Sequence, residues 1–388
     1  MSAAATKRLA VLGSTGSIGT QALEVAARER ERVQVVALAA GRSLEALLAQ
    51  ARAWRPAALA LEHAADAAGA RAALQAAAPG AAVEVGPGAA ARLAAGCGAD
   101  VVLNGIVGAA GLRASLATLE RGARLALANK ESLVVGGPLV RAALARGGEI
   151  VPVDSEHSAA LQCLGGRPPR EVLRLTLTAS GGALRGHPDW RRATRDEVLA
   201  HPVWSMGPRV TVDSATLFNK GIELIEAQAL FGLDWSQLDA VLHPQTVVHA
   251  LASFRDGSSV VQAAVADMRL PIQLALSWPE HWDEAVRPLD PTALRGLEFT
   301  PLAQERFPAY ALALAAGRTG GTAPCVLNGA DEVAVGAFLD GAITLGQVPE
   351  IIDRVLGAHR PANVESVEQL ERVDEWARSA ARAAVSAR

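Results

Sequence analysis

The chain of 388 residues has little cysteine, little net charge and no long uncharged run. Cys97, Cys163 and Cys325 stand far apart, with no CxxC spacing and no nearby His pair. This argues against a disulfide framework or a zinc site and for buried thiols in a reducing compartment. No stretch free of Asp, Glu, Lys and Arg exceeds 15 residues, short of the roughly 20 a membrane helix requires. Between the basic pair Lys7-Arg8 and the first Gly/Ser turn only Leu9 to Leu12 is apolar. That is too short for a signal-peptide core, so a cytoplasmic location is expected. A net charge of −3, with 37 basic residues spread along the chain, leaves no footprint for nucleic acid, and any anionic partner must be met by a local site. What is present is a composition of 50% hydrophobic and 20% charged residues. It excludes a disordered or fibrous chain and is enough for two or three domains.

The opening run RLAVLG, residues 8–13, stops at GSTGSIG and leads into TQALEVAARERE, apolar on one side and charged on the other. This reads as strand, glycine turn and helix. Residues 33–38 predict a second buried strand, 44–54 a helix and 57–61 a third strand. The alternation continues through 100–103, 112–121, 125–128, 138–146 and 149–153, which implies a parallel sheet covered by helices. After Asp154 the segments 172–178, 247–254 and 259–265 alternate as half-buried strands do, so a mixed α+β second domain is expected. From Phe307 onward the pattern is helical, at 309–316, 326–339, 348–358 and 367–384. The last of these opens with Ser366 and Gln369 at capping-box spacing. A helical bundle therefore closes the chain, and the proline-rich stretch before it reads as a linker.

Gly13, Gly16 and Gly19 are spaced for a turn that lets backbone N–H groups approach a pyrophosphate at a helix N-terminus. The second strand ends in Ala39-Ala40-Gly41-Arg42-Ser43, with no acid to take a ribose 2′-hydroxyl. A guanidinium there suits a 2′-phosphate, which favours NADP over NAD, the other reading of Arg42 being a solvated helix-start residue. Asp154 and Glu156 follow another strand. Two residues apart on an extended chain, their carboxylates project to the same side and repel unless a cation lies between them. Glu223 or Glu226, one helical turn apart, could supply a third carboxylate. Such a set suits Mg²⁺ or Mn²⁺ rather than zinc. The competing reading is an N-terminal charge pair on the helix SEHSAALQCL. The place just past the carboxyl end of a strand favours the functional one.

Two segments are rich in small donors, Thr178 to Gly182 and Asp213 to Gly221. Hydroxyls, an amide and one ammonium near a helix N-terminus describe a phosphate site, although for each Ser or Thr alone capping is the more frequent role. Between them lie residues 181–209, with Trp190, Trp204, Met206 and a short helix started by Thr194 and Glu197. Long connections of this kind are often lids, and a plain surface loop would leave Trp and Met oddly exposed. His201 is the one histidine given a site role. The other seven, His157 and His243 among them, are read as structural.

Taken in order, GSTGSIG, LANKESLV, PVDSEHSA, LTASGGALR, HPVWSMGPRVTVDSATLFNKGIELIEA and MRLPIQLALSWPE resemble the 1-deoxy-D-xylulose 5-phosphate reductoisomerase family over nearly the whole chain. The resemblance implies an α/β fold: a Rossmann-like NADPH domain at 1–153, an α+β catalytic domain at 154–280 with a flexible lid at 181–209, a linker at 281–307 and a helical domain at 308–388. It implies a homodimer acting on a sugar phosphate. It also implies that Asp154, Glu156 and Glu223 hold the metal, and that Lys130, Ser155, Glu156, Ser180, His201, Ser214, Asn219, Lys220 and Glu223 contact the substrate, with Lys130 and His201 catalytic beside the metal carboxylates. NADPH would meet Thr15, Gly16, Ser17, Ile18, Gly41, Arg42, Ser43, Asn129, Glu131 and Gly207. One departure is Ser43, where the family usually has Asn, and a hydroxyl can still donate to phosphate. The expected reaction is rearrangement of 1-deoxy-D-xylulose 5-phosphate and its reduction to 2-C-methyl-D-erythritol 4-phosphate, a step of isoprenoid precursor synthesis. The alternatives are another NADP-dependent two-domain dehydrogenase, which would need no three-carboxylate site, and a non-catalytic nucleotide sensor, which would need neither lid nor phosphate pocket.

Overall fold

A computed structural model describes residues 6–204, 206–283 and 285–387. Expectations touching Ser205, in the HPVWSMG string and the lid, lie outside the described residues. The chain divides into two compact units, the first made of residues 1–132, 140–158 and 267–287 and the second of 133–139, 159–266 and 288–388.

The first unit holds seven parallel strands in the order β4-β3-β2-β1-β5-β6-β7. They are β1 (Lys7–Leu12), β2 (Val33–Ala40), β3 (Ala58–Leu61), β4 (Ala82–Val85), β5 (Val101–Asn104), β6 (Arg124–Leu127) and β7 (Glu149–Pro152). Helices α1 (Ser17–Arg28), α2 (Leu44–Trp54), α3 (Ala67–Ala77), α4 (Ala89–Gly96) and α5 (Leu112–Glu120) join the first six strands. Leu9 to Leu12 and Val102 to Leu103 are fully buried, as central strands covered on both faces must be. Strand order reverses between β1 and β5, and such a switch point opens a crevice beyond the strands' carboxyl ends. Helix α6 (Glu131–Leu144), kinked at Gly136 ahead of Pro138, follows β6, and α7 (Ser155–Leu164) follows β7.

The second unit holds a mixed sheet in the order β11-β10-β8-β9-β12, from β8 (Val172–Ala179), β9 (Leu238–Leu242), β10 (Val248–Phe254), β11 (Ser259–Ala263) and β12 (Thr300–Pro301). β8 pairs antiparallel with β10 and parallel with β9. Helices α8 (Arg195–Leu199), α9 (Pro208–Ala215) and α10 (Phe218–Phe231) lie between β8 and β9. After β11 the chain returns to the first unit as α11 (Arg269–Ser277), which packs against α1. There Lys7 and Arg124 donate to the Leu276 carbonyl at 2.8 and 3.4 Å.

Helices α12 (Pro308–Thr319), α13 (Ala323–Leu339), α14 (Gln347–Ala358) and α15 (Val367–Ser386) complete the second unit. Val326, Leu327, Ala330, Leu345, Ile351 and Ile352 lie at its centre, fully buried. The Ser366 hydroxyl accepts the Gln369 N–H at 3.1 Å, while the Gln369 side chain accepts from Glu365, one residue before the cap.

Candidate active site

The glycine turn sits at the switch point. Gly13 has φ +75°, and a Cβ on it would meet the Gly105 carbonyl oxygen at 2.6 Å. A Cβ on Gly19 would meet the Gly13 oxygen at 2.3 Å. Only glycine lets β1, the turn and α1 pack this closely. The Ser14 hydroxyl donates to Gln50 at 2.7 Å and Gln50 donates back to the Ser14 carbonyl at 2.8 Å, which pins the turn. Gly16 caps α1 without a side chain, so the first-turn N–H groups of Ser17, Ile18 and Gly19 face outward at the positive end of the helix dipole. Thr15 and Ile18 are half-buried beside it, and Gly41, Arg42 and Ser43 are exposed at the end of β2. Ser43 starts α2 without using its hydroxyl as a cap. This cradle, which a Cβ would fill, fits a dinucleotide.

Past β6, Asn129 is 1% exposed. Its amide donates to the carbonyls of Ile106 and Gly108 at 2.7 and 2.8 Å and to Glu131 at 2.9 Å, while Glu131 accepts the Gly108 N–H at 3.2 Å. The side chains of Asn129 and Glu131 thus shape the loop after β5. Lys130 stands between them, with its ammonium 2.5 Å from the Asp154 carboxylate. Burial pushes the Asp154 carboxyl up, but the Lys130 ammonium overrides it, with help from His157, and holds the group well below the usual carboxylate range. The chain here is not extended as the two-residue spacing assumed: Ser155 and Glu156 form the first turn of α7. Glu156 nevertheless brings a carboxylate oxygen within 4.8 Å of one of Asp154 and accepts the Ser155 hydroxyl at 2.5 Å. The acidic pair thus stands at the N-terminus of α7, as the competing reading has it. His157, read as structural, is fully buried beside the pair.

In the second unit β8 ends at Ser180, followed by Gly181 and Gly182 at φ +84° and +62°. A Cβ on Gly182 would lie 2.7 Å from the Ser214 carbonyl oxygen. The Ser180 hydroxyl and His201 Nε2 are 3.1 Å apart, and His201 Nδ1 accepts the N–H groups of Val203 and Trp204 at 3.2 and 2.9 Å. These bonds assign the proton to Nε2 and leave a neutral ring with one N–H donor. Burial lowers its pKa, in the same direction.

On α10, Asn219 and Lys220 both donate to Glu223. Glu223 and Glu226 are each 1% exposed, so burial does not choose between them. Ser214, at the carboxyl end of α9, and Asn219 are half-buried, and Gly207 is the cap of α9. His243, as read, is structural: Nδ1 donates to the Glu298 carbonyl at 2.9 Å and Nε2 accepts from Val247 and Val248.

The segment between Gly182 and α9 is anchored over much of its length. Leu184, Ala193 and Val198 are buried in the helical core. Arg306 donates to the carbonyls of Leu184 and His187 at 3.2 and 2.7 Å, and Gly346 to that of Arg191 at 3.0 Å. Thr194 and Glu197 form the expected capping box. Ala200 to Trp204, Met206 and Gly207 are by contrast exposed or half-buried. Motif reading missed Arg209 and the acidic groups of α13 that receive it, although the pair Asp331-Glu332 in an otherwise apolar helix was a visible signal.

The doubly wound sheet with its glycine turn, and the lysine-held carboxylates beyond β7, place the protein in the class of dinucleotide-dependent oxidoreductases. A model of 1-deoxy-D-xylulose 5-phosphate reductoisomerase matches residues 9–137, and models of the C-terminal domains of that enzyme match 150–231 and 264–380. The 1-deoxy-D-xylulose 5-phosphate reductoisomerase of Moorella thermoacetica is 49% identical over 379 residues, covering 96% of each chain. That of Mycobacterium avium is 49% identical over 98% of this chain and 93% of its own. Among solved structures, the Zymomonas mobilis enzyme in complex with NADPH has a TM-score of 0.91 at 36% identity, covering 98% of this chain and 99% of its own. A complex of the enzyme with NADPH, fosmidomycin and magnesium has a TM-score of 0.90 at 34% identity, covering 98% of each chain. The chain belongs to the 1-deoxy-D-xylulose 5-phosphate reductoisomerase family.

Proposed function

We propose that the chain converts 1-deoxy-D-xylulose 5-phosphate to 2-C-methyl-D-erythritol 4-phosphate, using NADPH and a divalent cation. The observation that carries this reading is the Asp154 carboxylate, held ionised by Lys130 with Glu156 beside it, past the end of a strand in a dinucleotide fold. Asp154, Glu156 and Glu223, as the family resemblance implies, would hold Mg²⁺ or Mn²⁺ with an all-oxygen donor set. When bound, the ion supplies Lewis-acid polarisation of the substrate oxygens it touches.

The N–H groups at Gly16 to Ile18 receive the pyrophosphate, with Thr15 beside them. Arg42 takes the 2′-phosphate, and Gly41, Ser43 and Gly207 complete the nucleotide contacts. Asn129 and Glu131 act there through the loop that they shape. Ser180, Ser214, Asn219, Lys220 and the Nε2–H of His201 are donors suited to the substrate phosphate. Binding energy from that remote group positions the reacting carbons. Ser155 and the Lys130 ammonium donate to substrate hydroxyls, and Lys130 can hold a proton next to the carboxylates. Closure of the lid over the substrate keeps water from a reactive aldehyde.

The homodimer and the cytoplasmic location are part of the same proposal. No helix among the described residues is long and apolar enough to cross a membrane. The test is NADPH oxidation with the pentulose phosphate, with and without a chelator. Oxidation that stops on chelation and returns with magnesium is expected, and absence of substrate-dependent oxidation in the presence of metal would overturn the reading. Sedimentation equilibrium at twice the chain mass is expected for the dimer.

A further inference from the structure

A buried ionic cluster in the second unit takes no part in the chemistry above. Arg209, in the first turn of α9, reaches α13 with both terminal nitrogens of its guanidinium. Nη1 lies 2.8 Å from Glu332, Nη2 donates to Asn328 at 3.1 Å and lies 3.4 Å from Asp331, and Nε lies 3.6 Å from Asp213 one turn on. Arg378 of α15 takes the other Glu332 oxygen at 2.6 Å and Asp374 at 2.6 Å, so the contact continues into a third helix. The side chains of Asp213 and Asp331 are 4% and 1% exposed. Burial, and then Asp213, pushes the Asp331 carboxyl up, as expected of acids sharing one cation away from water.

The position of this cluster gives it a consequence for the reaction. Helix α9 carries Gly207 and the end of the lid at one terminus and Ser214 at the other. Upstream, Val198 is fully buried in the helical core. The exposed and half-buried residues 200–204, 206 and 207 thus lie between two fixed points, and Arg209 is the second. We propose that Arg209 is a positioning residue: by locking the first turn of α9 onto α13, it ends the lid at α9 and keeps Ser214 still while the lid opens and closes. This rests on the reading that the lid covers the substrate and that Ser214 meets its phosphate. The role requires the fork rather than the charge, because different guanidinium nitrogens serve different acceptors and an ammonium offers one point.

The test compares wild type, Arg209→Met, Arg209→Lys and Glu332→Gln as full chains, by kinetics with the pentulose phosphate, NADPH and magnesium and by limited proteolysis without ligand. Arg209→Met should raise KM for the sugar phosphate about tenfold while kcat stays within about threefold, since a misplaced phosphate contact weakens binding before it alters chemistry. Arg209→Lys should not restore KM, and Glu332→Gln should move it the same way. Cleavage that stops short of α9 in the wild type should extend into α9 in Arg209→Met. An unchanged KM accompanied only by a lower Tm overturns the proposal, and so does full rescue by lysine. If Arg209→Met does not fold, Glu332→Gln carries the same readouts. A wild-type chain inactive on the sugar phosphate fails the parent reading instead. The proteolysis then decides the clamp: an unchanged cleavage map overturns it and an extended one supports it.

Discussion

Replacing Gly19 by alanine tests whether the packing of β1, the turn and α1 makes the nucleotide site. The added methyl would sit 2.3 Å from the Gly13 carbonyl oxygen and 2.5 Å from the Ser14 Cα, both backbone atoms, where ordinary contact begins at 3.4 Å. The helix must therefore retreat by about 1 Å, because no flexible side chain can swing aside. Overpacking of this kind costs about 3 kcal/mol, and the better helix propensity of alanine returns about 1, leaving a net loss of about 2 kcal/mol. For a unit of this size that lowers Tm by about 4–8 °C. The same retreat moves the N–H groups of Ser17 and Ile18 away from a pyrophosphate, so Kd for NADPH should rise about tenfold or more. Gly16→Ala is the internal control, because its nearest atom is at 3.4 Å and its effect on Tm should be small. Scanning calorimetry and fluorescence titration with NADPH measure both quantities. A Gly19→Ala chain that melts with wild type and binds NADPH equally well would refute the reasoning.

Glu223→Gln should weaken metal activation by about 100-fold and lower turnover with it, leaving Kd for NADPH within about twofold. An unchanged activation constant would remove Glu223 from the ligand set. Arg42→Ala should cut kcat/KM for NADPH by about 10–100-fold, the worth of a charged hydrogen bond, with little change for NADH. Equal efficiencies with the two nucleotides in the unmutated enzyme would sink the idea. Burial holds His201 and His359 below their ordinary 6.5. Above that pH both states carry neutral rings, and as pH falls through it the unfolded chain takes protons that the folded chain refuses. Stability from these rings is therefore lost on acidification, whereas that from Asp154, held below 3.8, is lost only at still lower pH. Tm should be flat from about pH 8 to 7 and fall from about 6.5 to 5, and His359→Asn should flatten that fall. A Tm that holds level through this range would contradict the assignment.

Periodicity in the sequence determined most of the helices and strands, because a strand or helix with one apolar face writes that face into its own residues. The span 44–54 for α2 and 155–164 for α7 could be read to the residue. Where alanine removes the contrast, in residues 62–99, it left α3, β4 and α4 unread. It also left α11 unread, where Pro271 to Ser277 are all buried and no stripe exists. The strings from GSTGSIG to NKGIE carried the family and hence the candidate site, since their glycines, carboxylates and small donors follow one another along the chain. The tertiary structure alone decided that Asp154 and Glu156 meet on a helical turn, that Asn129 spends its amide on the loop after β5, and that His201 keeps its proton on Nε2. It alone brought Arg209 to Glu332 and Asp331, more than a hundred residues away in the chain. A local pattern tells which side of an element faces inward, but the partner it meets there depends on how distant segments close on one another, and no short-range spacing encodes that.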